Sequence, residues 1–295
     1  MPRLTLRRTR RRDPEGRMSV IEHLRELRRR LIVVVLIVTA GAVIGYVFYN
    51  PILAFLKEPY CAVPYTHRLG GQPGDRHDCT LLFYGPLDGF TTRLKISVIA
   101  GSILTGPLWL FQIWKFITPG LRKHERRYSL VFIATSSLLF LLGVTLAYAV
   151  LTKGLNILIT TAGSGTAAAL SITSYINFVT LMLVIFGAAF ELPLLVVMAN
   201  FAGVLPASLL KKSQRVGIFL IFLFAAVATP STDPFTMCAM AIPMCVLFEA
   251  AVLVAVVHDR RKASRALDAA LPDDEPSRLD PIPRPIGDDA WNEGT

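Results

Sequence analysis

The chain has 295 residues, of which 53% are hydrophobic, with a mean hydropathy of +0.51 and a formal net charge of +10. So apolar a composition, gathered into long uncharged runs, marks a polytopic membrane protein and excludes an ordinary soluble core. The basic excess would suit a nucleic-acid binder in a soluble chain, but here lysine and arginine cluster at the ends of apolar runs, which argues against nucleic acid as a partner.

Residues 1–17 read as a basic leader, with Met18 an alternative start. Next comes His23-Leu24-Arg25-Glu26-Leu27-Arg28-Arg29-Arg30-Leu31, an acid set among arginines just before the first apolar span, Leu31 to Tyr49. Ala40-Gly41-Ala42 has the small-x-small form of a signal-peptide cleavage site, but the apolar run continues through Phe48, as a retained span does. A polar loop of roughly forty residues follows, longer than an ordinary connection. It holds Cys61 and Cys79, which either remain free thiols or, on an oxidising side, form a bridge.

The second span reads as Leu94 to Ile117 and leads into a short basic link, Arg122-Lys123-His124-Glu125-Arg126-Arg127, again with one acid among cations. The third reads as Tyr128 to Leu151 and the fourth as Tyr175 to Phe201. Glu191 lies inside the fourth, where an ionisable group is costly and normally faces protein or a wet cavity. Pro193 removes a donor and clashes one turn back, which predicts a kink near Ala189. The fifth span, Val216 to Thr229, covers only about 21 Å at 1.5 Å per residue, against about 30 Å of hydrocarbon. Asp233-Pro234 then has the form of a helix start, with a carboxylate cap and proline at the first helical position. The sixth span, Phe235 to Val257, carries Glu249 toward its end, with Cys238 and Cys245 as small apolar fillers. From 259 to 295 the chain is polar and proline-rich and is expected to be disordered.

Lysine and arginine crowd the leader, the second link, the fourth link (Lys211, Lys212, Arg215) and Arg260-Arg261-Lys262. The alternate loops carry few, so both termini are expected on the cytoplasmic side. The expected class is therefore all-α and integral to the membrane, with six transmembrane helices over 18–258. Zinc-helix, phosphate-loop and nucleophile-elbow motifs are absent from the sequence, so enzyme activity is not expected.

Glu26 and Glu125 fall at the same expected membrane surface. Either alone reads as a solvated flank beside orienting charges, worth about 0 to 1 kcal/mol per pair. Together, beside Leu24, Leu27, Trp114 and Phe116, they form an acidic pair next to apolar surface and suit a site that grips two guanidinium groups.

These residues resemble the TatC family, the polytopic receptor subunit of the twin-arginine protein translocase. The likeness is carried by the segment from His23 to Leu31, by Gln112-Ile113-Trp114-Lys115-Phe116-Ile117 and by Pro119-Gly120-Leu121-Arg122-Lys123-His124-Glu125-Arg126-Arg127. It continues through Leu146-Ala147-Tyr148, Phe190-Glu191-Leu192-Pro193, Thr229-Pro230 with Asp233, and Leu247-Phe248-Glu249. The resemblance implies a cupped arrangement of the six helices in a prokaryotic plasma membrane, with neither a cofactor nor a metal. It implies binding of paired-arginine signal peptides on folded cargo, with TatA-type and TatB-type single-span subunits as partners and homo-oligomers within the complex. Carried over by position, Glu26 and Glu125 meet the arginines with Phe116, Leu27 and Arg126 beside them; Tyr148, Glu191, Asp233 and Glu249 match intramembrane polar or partner-contact positions. A rival reading from another class is a proton-coupled secondary transporter that titrates Glu191, although no inverted repeat is visible. Energy for transport must come from outside the chain, and the membrane potential supplies about 2.3 kcal/mol per charge per 100 mV.

Overall fold

A computed structural model describes residues 20–63, 81–117, 126–161, 170–230 and 233–270. Helix α1 (Val20–Val47) begins well before Leu31 and carries the arginine cluster inside it. Neither glycine nor proline interrupts the stretch before Gly41, and the Glu26–Arg30 pair has the i,i+4 order that favours a helix. The loop expected after the first span instead opens with a helix, α2 (Tyr49–Cys61).

The second span is bent where a single straight helix is the simplest reading of the sequence. Helices α3 (Asp88–Leu104) and α4 (Gly106–Ile117) meet at 64°. Pro107 has no N–H to give, so the Thr105 carbonyl accepts from Leu108 and Trp109 at 2.9 and 3.2 Å, while the Thr105 hydroxyl back-bonds to Gly101 O at 2.7 Å. At the other end, Asp88 accepts from the N–H groups of Tyr84 and Gly85 at 3.0 and 2.9 Å and fixes the start of α3.

Helix α5 (Arg126–Thr160) runs on past Leu151, and α6 (Ile172–Ala189) starts at Ser171, whose hydroxyl accepts from the Ser174 N–H at 3.0 Å. The fourth span breaks after Ala189, as Pro193 predicts, and resumes as α7 (Leu192–Phe201). Helices α8 (Ala207–Lys212) and α9 (Gln214–Ala228) lead to α10 (Pro234–Ala270). That last helix extends past His258 into the segment expected to be disordered, because Asp259 to Ala270 contains no glycine or proline. Asp259 also ties it down: its carboxylate accepts from the Ala207 N–H at 2.8 Å, capping α8 from a distance, and from Asn200 Nδ2 at 3.3 Å. Residues 1–19 and 271–295, including the whole leader and most of the tail, lie outside the described residues.

Among the described residues four helical stretches are long and apolar enough to cross a membrane, and the bent α3–α4 pair makes five. Helix α9, at 15 residues and about 22 Å, stays short of the hydrocarbon thickness, as its sequence predicts.

The α6–α7 stretch is the most buried of these and α1 the least. The core is built around α6, where Tyr175, Ile176, Val179, Met182 and Phe186 meet Ala147 and Leu151 of α5 and Met240 and Met244 of α10. Helix α1 packs mainly on α3 at very short range. A Cβ on Gly41 would lie 2.7 Å from Gly101 O, and one on Gly45 would lie 2.6 Å from Ser97 O. Gly41-x-x-x-Gly45 thus faces Ser97-x-x-x-Gly101, the small-residue spacing that lets membrane helices approach closely.

Two tyrosines hold α2 against this bundle. Pro59 cannot donate to the Phe55 carbonyl one turn back; the Tyr148 hydroxyl of α5 donates to it instead at 2.9 Å, with the Tyr148 and Phe55 rings stacked at 4.3 Å. Tyr175 of α6 donates to the next carbonyl, that of Leu56, at 2.6 Å. Tyr148→Phe keeps the stacking and loses the donor, so it should destabilise the protein by about 1 kcal/mol. A thermal unfolding midpoint in detergent that does not move would disprove the tether.

Candidate functional site

The helical repeat sorts the start of α1 into two neighbouring stripes. His23, Glu26 and Arg30 fall on one, and Leu24, Leu27 and Leu31 on the other. The polar stripe meets α4. Arg30 bridges the two helices, donating through Nη2 to Glu26 Oε1 at 2.7 Å and through Nη1 to Gln112 Oε1 at 3.1 Å. One turn further along α4, Phe116 stacks on His23 with ring centroids 4.5 Å apart. Glu26 therefore sits in a formed ion pair, partly shielded, with no bond to its second oxygen among the described residues. The leucine stripe is uncovered: Leu24, Leu27 and Leu31 are all exposed.

An acid beside an aromatic ring and an apolar strip can receive a cation with an apolar flank. Sequence reasoning named Glu26, Phe116 and Leu27 for this place but missed Arg30, Gln112 and His23. The i,i+4 spacing made the first partner readable; the other contacts needed the fold. Glu125 lies outside the described residues, and for Arg126 only its helical backbone is described.

A second polar group sits deeper. Glu191, at the break between α6 and α7, accepts from the Ser136 hydroxyl at 2.8 Å, and that hydroxyl accepts from Trp114 Nε1 at 2.6 Å. Its other oxygen, Oε1, is buried with no partner among the described residues, and Glu191 lines a cavity of about 400 Å³ bounded by α1, α3, α4, α5, α6 and α7. The walls are mostly apolar, with Val38, Ile99, Leu110, Phe140 and Leu183 among them. Ser136 and Trp114 lie far from Glu191 in sequence, so no local pattern announces them.

Glu191→Gln keeps an acceptor for Ser136 and should retain transport within a few-fold. Glu191→Leu takes away the acceptor of the Ser136 O–H, at a cost of about 1 to 3 kcal/mol, and should transport worse. Transport by the Leu variant equal to wild type, with the Gln variant impaired, would reverse this reading.

The remaining polar positions serve the frame. Asp233 accepts from the Thr236 N–H at 2.7 Å and from its hydroxyl at 2.7 to 2.8 Å, which is the helix cap that Asp-Pro predicts. Glu249 accepts from Gln214 Nε2 at 2.8 Å and links α10 to the start of α9. Tyr148 holds α2, as described. Cys61 is disulfide-bonded, and the partner expected for it, Cys79, lies outside the described residues; Cys238 and Cys245 are free. Among the described residues no cluster of histidine, cysteine, aspartate or glutamate could hold a metal ion.

The chain is similar to known proteins in sequence and in fold. The family described as Sec-independent protein translocase protein (TatC) matches residues 22–243. A protein of that name from Frankia casuarinae is 46% identical over 90% of this chain and 74% of its own length. The one from Aquifex aeolicus is 33% identical over 83% of this chain and 98% of its own. A crystal structure of the twin-arginine translocase receptor TatC in DDM superposes with a TM-score of 0.63 at 32% identity, covering 79% of this chain and 99% of that one. Matched in sequence over most of its length and in its helical fold, the chain belongs to the TatC family, a non-enzymatic membrane component of the Sec-independent protein translocase.

Proposed function

We propose that this chain is the receptor that binds paired-arginine signal peptides of folded cargo and nucleates the export site. The observation that carries the reading is the Glu26 carboxylate, held by Arg30 between α1 and α4, with Phe116 on one side and the uncovered leucine stripe on the other. A guanidinium from the peptide engages the other oxygen of Glu26, and Glu125, in the basic link after α4, takes the second. Leu27 and the other leucines face the apolar stretch that follows the arginines in a signal peptide, and Arg126 flanks the second acid.

In this reading the protein crosses a prokaryotic plasma membrane six times with both termini cytoplasmic, α9 being the short crossing. TatA-type and TatB-type single-span subunits assemble on it, with Tyr148, Glu191, Asp233 and Glu249 marking the frame they meet, and several copies form one complex. The Cys61 to Cys79 bridge closes the outer loop. The transporter reading of Glu191 gives way, because the family is a protein translocase component.

The test is photocrosslinking of the purified protein to a signal peptide carrying adjacent arginines and to the same peptide carrying adjacent glutamines. Labelling of α1 and α4 by the first peptide alone is expected. Equal labelling by both would sink the receptor role.

A further inference from the structure

At the end of the bundle away from Glu26, Arg93 sits about 7.5 Å along α3 from its start at Asp88. Its guanidinium lies 4.1 Å from the ring centre of Tyr46 and 5.1 Å from that of Tyr49. Arginine has five N–H donors in a planar fork and no acceptor. Arg93 spends one of them on the protein, from Nη2 to the Tyr46 carbonyl at a long 3.4 Å, and its Nε is buried without an acceptor. The carboxylate nearest in sequence, Asp88, is turned to the N–H groups of Tyr84 and Gly85. Among the described residues no acid forms an ion pair with Arg93; Glu26 pairs with Arg30, and Asp259 with His258.

A guanidinium whose Nε is shut off from solvent with donors idle carries a desolvation cost that an anionic partner would offset. The depth of Arg93 is that of the interface: Tyr46, Phe48, Tyr84 and Phe90 are all exposed around it, as an aromatic belt at headgroup level would be. What a membrane supplies there in abundance is phosphate, whose oxygens match the guanidinium fork in a bidentate pair. We propose that Arg93, braced by the faces of Tyr46 and Tyr49, binds the phosphate of a glycerophospholipid headgroup and docks that lipid in the cleft between the end of α1 and the start of α3. Lys95 is not part of the site. Two residues further on, it points to α6, where its ammonium donates to Asn177 Oδ1.

The experiment uses the full chain purified in detergent, with native mass spectrometry of bound lipid. Phosphatidylglycerol, diacylglycerol with the same acyl chains, and inorganic phosphate are added separately. Wild type should retain phosphatidylglycerol over diacylglycerol. Arg93→Gln should bind it on the order of fivefold more weakly, since one basic residue near an anionic surface contributes about that factor. Arg93→Lys should fall between, having charge without the fork, and Lys95→Gln should match wild type. Equal retention by wild type and Arg93→Gln overturns the site. So does an equal drop in Lys95→Gln, which would indicate a diffuse field, or displacement of the lipid by millimolar inorganic phosphate, which would indicate a free-anion pocket. Should Arg93→Gln fail to fold, Tyr46→Leu, which removes one brace, is expected to weaken phosphatidylglycerol retention, and an unchanged value overturns the proposal.

Discussion

Replacing Glu26 and Glu125 together by alanine should abolish measurable discrimination between an Arg-Arg and a Lys-Lys signal peptide. A charge-assisted hydrogen bond contributes about 1.5 to 3 kcal/mol, and partial exposure of Glu26 trims this toward the lower end. Each single change should therefore weaken Arg-Arg binding by roughly tenfold. Glu26→Ala acts twice, because it also releases Arg30 from its 2.7 Å pair, and the freed cation repels the incoming peptide. Lysine carries the same charge but cannot form two parallel bonds to one carboxylate, so its affinity should fall less and the gap should narrow. Arg30→Gln separates competition from support: loss of a competitor strengthens Arg-Arg binding, whereas loss of a brace weakens it. Unchanged affinity in the double mutant, with the protein correctly inserted, would eliminate these acids as the site.

The largest structural effect is expected at Gly101. A Cβ there would collide with the Ala42 backbone nitrogen and stand 2.7 Å from Gly41 O, and neither obstacle is a side chain that can swing away. Helices α1 and α3 would have to separate along their whole contact. Overpacking of this kind costs about 1 to 3 kcal/mol where side chains give, and more where backbone must move. Gly101→Ala should lower the yield of monodisperse protein in detergent severalfold, and Gly101→Leu should eliminate it. Gly89→Ala, on the same helix with its nearest obstacle 3.8 Å away, is the control and should behave as wild type. Equal behaviour of Gly101→Ala and Gly89→Ala would show that the close approach is not needed.

Hydropathy made the membrane class and the weak fifth span legible, because both depend on composition over a window. Local chemistry made two details legible: the break at Glu191, which needs only Pro193, and the Asp233 cap, which needs only its neighbours. The bend at Thr105 was written in Gly106-Pro107, but a hydropathy window averages over it. Gly41 and Gly45 show the opposite failure. Their spacing is visible in the sequence, yet Ala40-Gly41-Ala42 reads equally as a cleavage site until Gly101 is known to lie opposite. The Trp114–Ser136–Glu191 chain and the Arg30–Gln112 bond join residues whose meeting depends on how the helices are stacked, and one sequence carries no record of that.

The fastening of α2 also bears on how the chain can vary. Tyr148 and Tyr175 reach main-chain oxygens of Phe55 and Leu56, and every amino acid brings the same oxygen. These two bonds place no demand on the side chains at 55 and 56, which are held instead by the Phe55–Tyr148 stack and by the burial of Leu56 in the core. Relatives can repaint the outer surface of this helix for different surroundings without loosening it, and constraint concentrates instead on two tyrosines more than ninety residues away.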